Sequence, residues 1–311
     1  MTTPAVCVVG SANLDLSTYA DRFPAPGETI HARRFTTGYG GKGANQAVMA
    51  ARLGAAVALV GRVGDDSFGR DMLAHFRAEG IDTRHVTPTA GVSTGTAVIT
   101  VDAAGRNTIV VAPGANGALT AADIEVARGA IEGACVLVCQ QEVPAEANLA
   151  AMRLAARAGV PVVFNPAPVG DGPPAEAYRF ATVLCPNEHE AVLLTGRAVR
   201  TLDEAEAAAR ELLGRGPRNV VLTLGERGCL VLTNGEVTVI PAPLVEAADT
   251  TGAGDAFVGS LAVFLARGAD LVTAARNANR VAAISVQSPG AQTSFPRVAD
   301  LPADLRGDSR V

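Results

Sequence analysis

Short apolar segments alternate with amphipathic ones from about residue 120 onward, and this alternation constrains the fold more than any other feature. Residues 135–139, 161–164 and 220–224 have the composition of buried strands, whereas residues 145–158 and 202–213 have helical periodicity. Strands that alternate with helices form a parallel sheet covered on both faces. The sequence therefore predicts an α/β fold. Further helices are predicted at 44–53, 67–79, 120–131 and 187 onward, 253–266 and 271–286, and further strands at 6–10, 56–60, 182–185, 229–233 and 237–240.

Four shorter segments near the start do not fit that layer. Their apolar and polar residues alternate, which implies one face in contact with water. We expect them to form a small β-sheet lid, inserted at about 14–37 and 94–112 of a single domain over 1–311. Sites in parallel sheets lie beyond the carboxyl ends of the strands, so the lid is expected to cover such a site. The predicted lid strands are 16–20, 29–35, 96–101 and 107–111.

Composition excludes several function classes. The 311 residues include 26 Lys+Arg and 31 Asp+Glu, a net charge of −5 that argues against binding nucleic acid through charge. No apolar run approaches the roughly 20 residues that cross a bilayer, and the first four residues do not resemble a leader, so we expect a cytoplasmic protein without a membrane partner. The five cysteines form no CxxC pair and are interpreted as buried, reduced thiols, and the four histidines show no zinc-ligand spacing.

Lys42 is the only lysine among the 26 basic residues, and it lies in a glycine-rich segment that spans residues 38–46. That segment formally contains GxGxxG, but no buried strand precedes it, so we reject a dinucleotide site. Gly43 follows Lys42 where a Walker A loop needs Ser or Thr. What remains is a backbone loop that lets a ligand come close. Asn13 and Asp15 follow the first strand and could face the same space. Together with Asn45, they offer amide and carboxylate groups suited to the hydroxyls of a polyol.

A second glycine-rich segment, Gly252-Ala253-Gly254-Asp255, directly precedes an apolar helix. The free N–H groups at a helix start attract anions, so this segment is a candidate phosphate or oxyanion cradle. Asp255 is placed to take a proton from a hydroxyl beside that cradle. The alternative is a tight turn with an ordinary capping aspartate.

Asn187 and Glu190 present a third candidate with two interpretations. Their spacing is that of a helix capping box. The functional interpretation is a Mg²⁺ site that acts through retained water, since Mg²⁺ favours one or two protein oxygens.

Taken with other short motifs, these segments resemble the PfkB family of carbohydrate kinases, and within it the ribokinase branch, nearly end to end. The motifs are residues 40–47, 165–168, 186–188, 223–225, 249–257 and 290–292. The resemblance implies a three-layer α/β/α domain with a mostly parallel sheet and a β-sheet lid. It also implies transfer of the γ-phosphoryl group of ATP to the 5-hydroxyl of D-ribose, activation by Mg²⁺ and K⁺, and a homodimer formed through the lid.

The resemblance also assigns roles to residues. Asp255 would be the base, with the amides of Gly252, Ala253, Gly254 and Asp255 as the anion hole. The sugar would be held by Asn13, Asp15, Gly41, Lys42, Asn45, Glu142 and Asp255. The nucleotide would lie beside Asn187, Thr223, Gly225, Gly228, Gly254 and Asn279. Glu190 would organise Mg²⁺ through water, and K⁺ would bind mainly to carbonyls at Asp249, Thr251, Ser285, Ser288, Gly290 and Ser294.

Alternatives remain open at this stage. Two amides and two acids around the sugar disfavour a sugar phosphate, which would need Arg or Lys. Ribose is preferred over deoxyribose, a hexose or a nucleoside such as adenosine, with Asp15 as the expected contact of the 2-hydroxyl. A non-catalytic sugar-binding protein and an NAD-dependent dehydrogenase are the rival classes. Arg280, next to Asn279, departs from the small residue expected at the nucleotide edge.

Overall fold

The computed structural model describes residues 5–306, so the first four residues, on which the leader prediction rests, lie outside the described residues. The strands are β1 (Ala5–Val9), β2 (Asn13–Tyr19), β3 (Arg34–Gly40), β4 (Ala56–Gly64), β5 (Asp82–Thr89), β6 (Gly95–Val101), β7 (Asn107–Ala112), β8 (Val136–Gln140), β9 (Val162–Asn165), β10 (Val183–Leu184), β11 (Asn219–Thr223), β12 (Cys229–Thr233) and β13 (Glu236–Ile240). The helices are α1 (Lys42–Arg52), α2 (Ser67–Ala78), α3 (Ala121–Val126), α4 (Arg128–Glu132), α5 (Ala145–Ala158), α6 (Ala175–Phe180), α7 (Glu188–Thr195), α8 (Leu202–Gly214), α9 (Ala253–Ala266) and α10 (Leu271–Ser285).

Nine strands form the large sheet, in the order β13-β12-β11-β10-β9-β8-β1-β4-β5. Neighbouring strands from β11 to β5 run parallel, and only β12 and β13 are antiparallel additions at one edge. β1 lies in the middle, where Val6 pairs with Val57 on one side and Val136 on the other. The sheet is mostly parallel, as predicted.

Helices cover both faces of this sheet because alternate residues of its strands enter two separate cores. Val6 and Val8 of β1 belong to the core packed against α1, α9 and α10. Cys7 and Val9 belong to the other, which includes buried residues of α5 and α8. A strand buried on both faces gives a continuous apolar run instead of an alternating one. The predicted three-layer α/β/α fold is confirmed.

The small sheet has the strand order β3-β2-β6-β7 and is separate from the large one. The hairpin predicted at 96–101 and 107–111 is present as β6 and β7. The strand predicted at 29–35 is wrong, because the chain is extended at Arg34–Gly40 instead. β3 includes the first glycines of the segment that we expected to be a loop. A side chain at Gly40 would displace the carboxylate of Asp15 on β2, because an added Cβ would lie 2.4 Å from one of its oxygens.

Several further elements differ from the sequence predictions. β5 and α6 were not predicted, and the helix predicted at 120–131 is interrupted at Ala127 to give α3 and α4. Four cysteines are buried, but Cys135 is exposed, which contradicts the expectation for that residue; no disulfide joins the five, all of which are described. No helix within residues 5–306 is both long and apolar enough to cross a bilayer.

Candidate active site

The N-terminus of α9 is the centre of the candidate site. Gly252 caps this helix with a left-handed backbone (φ 78°), and a Cβ there would lie 2.9 Å from the Cβ of Ala291. A side chain is therefore excluded by both conformation and space. Asp255 follows in the first turn and is buried.

The amides of this turn are not equivalent. The N–H of Ala253 donates to the carbonyl of Thr250 (3.2 Å). The N–H groups of Gly254 and Asp255 have no hydrogen-bond partner in the described part of the chain. A Cβ at Gly254 would meet no atom within 4 Å, so the space above this residue is open. Of the four predicted donors, the N–H groups of Gly252, Gly254 and Asp255 are thus free within the described residues, while that of Ala253 is already engaged.

A cavity of about 160 Å³ opens beside this helix start. It brings together residues predicted for the base, the nucleotide and the metal, which come from three segments of the chain, at residues 187–190, 223 and 252–255. Its walls are Lys42, Asn165, Cys185, Asn187, Glu190, Thr223, Gly252, Gly254, Asp255 and Val258. A cavity lined by a carboxylate, an ammonium and free helix amides is suited to charged oxygen ligands.

Lys42 begins α1 and places its ammonium among carboxylates. Burial alone would lower the pKa of Lys42, but the charges of Asp255, Glu142 and Glu190 outweigh burial and raise it. The side chain is therefore a fixed positive charge at neutral pH.

The residues predicted to hold the sugar lie next to this cavity, at the junction of the two sheets. Burial and the charges of Glu142 and Asp255 raise the pKa of Asp15 to about 6. Glu142 accepts hydrogen bonds from the backbone N–H of Lys42 (2.9 Å) and the hydroxyl of Ser11. Asn13 accepts one from Asn116 (2.7 Å). Of the predicted sugar residues, Asp15, Lys42 and Glu142 thus lie close to one another and to Asp255.

Gly41 lies between these groups, at the turn from β3 into α1. Its φ is 87°, and an added Cβ would lie 2.8 Å from the backbone N of Asn13. Close approach of two backbone segments therefore explains this glycine.

The residues predicted for the nucleotide divide into two groups. Asn187 and Thr223 line the cavity and form an isolated parallel bridge. Gly225, Gly228 and Asn279 do not line it. Gly228 is explained by packing, since a Cβ there would lie 2.0 Å from the carbonyl oxygen of Ile240.

Asn279 donates from Nδ2 to the carbonyl of Pro241 (3.0 Å), which ties α10 to the segment after β13. The neighbouring Arg280 departs from the expected small residue, but its guanidinium is occupied. It forms an ion pair with Asp304 (2.5 Å). The charge of Arg280 is thereby partly neutralised by the C-terminal segment.

Glu190 serves as a capping residue and also faces the cavity. Its Oε2 accepts the backbone N–H of Asn187 (2.8 Å), and its Oε1 accepts Nδ2 of the same residue (3.0 Å). Burial is the main cause of the raised pKa of Glu190. No cluster of three or more His, Cys, Asp or Glu suited to a metal occurs among the residues that the structure describes. One carboxylate already held by an amide fits a metal bound through water rather than directly.

The residues predicted for K⁺ lie in two loops that the structure joins. Asp249 accepts the N–H and hydroxyl of Thr251 on one oxygen and the N–H of Gly290 (2.7 Å) on the other. The hydroxyls of Ser285 and Ser294 turn back to carbonyls three residues earlier. Ligation through backbone carbonyls therefore fits these loops better than ligation through the serine hydroxyls.

Sequence reasoning singled out Asn45 but not its contact with Asp255, and it missed Gln46 and Gln292 as site residues. Gln46 donates from Nε2 to Oδ1 of Asp255 (2.8 Å), and Asn45 donates from Nδ2 to Oδ2 (2.9 Å). Gln292 donates in turn to Asn45 (2.9 Å). Gln46 and Gln292 both lie within the motifs that carry the family resemblance. Their contacts could not be predicted from the sequence, because they join residues more than 200 positions apart.

Comparison with known proteins gives a consistent result. Residues 3–298 match the model of the pfkB family of carbohydrate kinases. Ribokinase from Mus musculus is 45% identical over 305 residues, covering 97% of this chain and 94% of that protein. Deoxyribokinase from Salmonella typhi is 38% identical over 293 residues, covering 94% of this chain and 96% of that protein. The solved structure of Arabidopsis thaliana ribokinase complexed with ribose and ATP superposes with a TM-score of 0.89 at 32% identity, covering 95% of this chain and 96% of that one.

Proposed function

This chain belongs to the pfkB family of carbohydrate kinases, and on that premise we propose that it transfers the γ-phosphoryl group of ATP to the 5-hydroxyl of D-ribose. The observation that carries the proposal is the position of Asp255, whose carboxylate lies at the cavity beside the free amides of Gly254 and Asp255 itself. A base and an anion cradle on one helix turn supply what phosphoryl transfer requires, which is positioning and charge stabilisation.

In the proposed reaction, Asp255 accepts the proton of the sugar hydroxyl as its oxygen attacks the γ-phosphorus. A bond forms between that oxygen and phosphorus, and the bond to the bridging oxygen breaks to release ADP. The free amides of Gly254 and Asp255 stabilise the charge on the transferred group. The free amide of Gly252 would extend this cradle, and the amide of Ala253 would join it only by releasing the carbonyl of Thr250.

Two cations belong to this proposal. Mg²⁺ would neutralise phosphate oxygens of ATP, and Glu190 would hold it through water, which suits a carboxylate already bound to Asn187. K⁺ would bind backbone carbonyls of Asp249, Thr251, Ser285, Ser288, Gly290 and Ser294, in the loops that precede α9 and follow α10. The hydrogen bond between Asp249 and Gly290 supports this placement, because it fixes the two loops together.

The charges around the sugar support a neutral acceptor. Asp15 and Glu142 would repel a sugar phosphate. The lid arginines do not compensate, since Arg33 pairs with Asp21 and Arg34 lies over the ring of Tyr19. Within neutral sugars, the higher identity to a ribokinase than to a deoxyribokinase favours ribose. Asp15 is the proposed contact of the 2-hydroxyl, with Asn13, Gly41, Lys42, Asn45 and Glu142 completing the sugar site.

Asn187, Thr223 and Gly254 are the proposed nucleotide contacts within the cavity, while Gly225, Gly228 and Asn279 would border the nucleotide farther out.

The small sheet supports a homodimer. All six residues of its edge strand β7 are exposed, including Ile109, Val110 and Val111. An edge strand with consecutive exposed β-branched residues is a surface that normally pairs with another chain. We propose that two lids pair through β7 and its neighbours.

The absence of disulfides among the five cysteines supports a cytoplasmic location.

ADP release tests the activity directly. With ATP, Mg²⁺ and K⁺ present, ribose should stimulate ADP release with a higher kcat/KM than 2-deoxyribose, hexoses, adenosine or ribose 5-phosphate. Asp255→Asn should lose on the order of 10²–10⁴ in kcat while it still binds ribose. Ribose binding without ADP release would support a non-catalytic binding protein, and NAD binding in equilibrium dialysis would support the dehydrogenase.

A further inference from the structure

Five buried carboxamide side chains surround Asp255 in the interior between the sheet and α9. They are Asn45, Gln46, Gln140, Asn165 and Gln292, and each is at most 8% exposed. Burying polar groups costs free energy unless hydrogen bonds replace water. So dense a cluster around one carboxylate is unexplained by packing alone.

The carboxylate dictates how each of these side chains is turned. An ionised carboxylate only accepts hydrogen bonds, so Asn45 and Gln46 must present their NH₂ groups to it. Their oxygens then point away and must accept. Gln140 donates from Nε2 to Oε1 of Gln46 (2.7 Å), and Gln292 donates from Nε2 to Oδ1 of Asn45 (2.9 Å).

The result is two directional chains that end on different oxygens of Asp255. One runs from Gln140 through Gln46 to Oδ1. The other runs from His75 through Gln292 and Asn45 to Oδ2. In the second chain Oε1 of Gln292 faces Nε2 of His75 (2.7 Å), so this histidine nitrogen carries the hydrogen.

Both chains are anchored at their outer ends. The ring of His75 stacks on Tyr39 of β3 at 3.9 Å, with the two planes 8° apart. Gln140 packs against Gly10, where an added Cβ would lie 2.1 Å from its Oε1. Packing thus fixes the positions of both outer side chains, while the direction of the first chain is set by the hydrogen bond from Gln140 to Gln46, since Oε1 of Gln140 has no partner within residues 5–306.

We propose that Gln46 and Gln140 are positioning residues for phosphoryl transfer, because they fix the carboxylate of Asp255 in one orientation before the sugar arrives. This inference rests on the proposed role of Asp255 as the base. Each carboxylate oxygen accepts one amide hydrogen and keeps a free lone pair for the sugar hydroxyl. Small misplacements of a catalytic group reduce rates by large factors. The chain through Gln46 provides the cleaner test, since Asn45 is itself a proposed sugar contact.

Gln46→Met removes the donor and keeps the length of the side chain. We expect kcat to fall about 10–100-fold, with the ribose dissociation constant from calorimetry unchanged within about twofold, since Gln46 is not among the proposed sugar contacts. Gln140→Met, one residue farther out, should lower kcat by a smaller factor. The double variant should be no slower than Gln46→Met, because Gln140 acts only through Gln46.

Asn219→Leu is the matched control. It removes a carboxamide that donates one hydrogen bond, to the carbonyl of Thr182 (2.9 Å), at the opposite end of β11 from Thr223. Its kcat should match that of the original chain.

An unchanged kcat in folded Gln46→Met, a parallel loss of ribose binding, or additive effects in the double variant would overturn the proposal. If Gln46→Met does not fold, Gln140→Met provides the test, and a normal kcat in that variant refutes the positioning role. An inactive Asp255→Asn beside a normal Gln46→Met would refute only the positioning role, whereas an active Asp255→Asn would refute the proposed function.

Discussion

We expect ionised Asp15, the proposed sugar contact, to lower the free energy of unfolding of the protein without sugar. Its carboxyl is partly buried near Glu142 and Asp255, and burial followed by these two charges raises its pKa from 3.8 to about 6. Because the folded-state pKa lies above the unfolded value, the favourable contribution of Asp15 is fully present below pH 3.8. It is lost as the pH rises through about 6.

Asp15→Asn removes this penalty, since asparagine resembles the protonated acid and stays neutral. The change in pKa corresponds to about 3 kcal/mol at pH 7 and about 1.5 kcal/mol at pH 5. We therefore expect the variant to be more stable than the original chain by about 3 kcal/mol at pH 7, with the difference roughly halved at pH 5. The same variant should bind ribose at least about tenfold more weakly, because it loses a charged hydrogen-bond acceptor.

Urea denaturation of both proteins without sugar, at pH 7 and pH 5, measures this difference. Asp71→Asn, on an exposed part of α2, makes the same change in net charge away from the site and should show no comparable gain. A destabilised Asp15→Asn at pH 7, or a difference that does not shrink at pH 5, would refute the electrostatic account.

Three further outcomes follow from the structure. Gly43→Ala should lower the free energy of unfolding, measured by urea denaturation, by about 1–3 kcal/mol, because its Cβ would lie 2.6 Å from the backbone after β1. Gly129→Ala has open space at its Cβ and should cause no such loss, and equal effects of the two variants would contradict the packing argument. An acylating reagent at pH 8 should spare Lys42 until the chain is unfolded, since neighbouring carboxylates outweigh burial and raise its pKa; rapid labelling in peptide mass spectra would contradict this. Val110→Arg should give monomers in sedimentation analysis, whereas Val126→Arg, equally exposed but on α3, should not; a dimer that survives Val110→Arg excludes β7 as the interface.

The large sheet was predictable because parallel strands covered on both faces carry unbroken apolar runs. The strands that escaped prediction lie where that rule fails. β5 is an edge strand that contains Asp82, Arg84 and Pro88, and only one side of its backbone pairs. β3 is polar and largely exposed, and its extended conformation comes from pairing with β2. In both cases the neighbouring strand determines the structure.

The candidate site was predictable where its chemistry is local in sequence. Asp255 and Gly254 share one helix turn, and Asn187 and Glu190 share another, so spacing made them candidates, with a tight turn and a capping box as the alternatives until the family resemblance was considered. The contact between Gln46 and Asp255 joins residues 209 positions apart, and that between Gln292 and Asn45 spans 247. No periodicity encodes such contacts. They depend on how α1, α9 and the C-terminal loop pack together.

The path of the chain after β1 separates two of the proposed sugar contacts from the proposed base. β2 departs into the small sheet and carries Asn13 and Asp15 with it, whereas the proposed base remains on α9 beneath the large one. Two of the proposed sugar contacts thus lie on a different sheet from the proposed base, whereas Asn45 and Glu142 lie outside the small sheet. We expect substitutions at Asn13 and Asp15 to alter the choice of sugar while the helix turn that carries Asp255 stays unchanged.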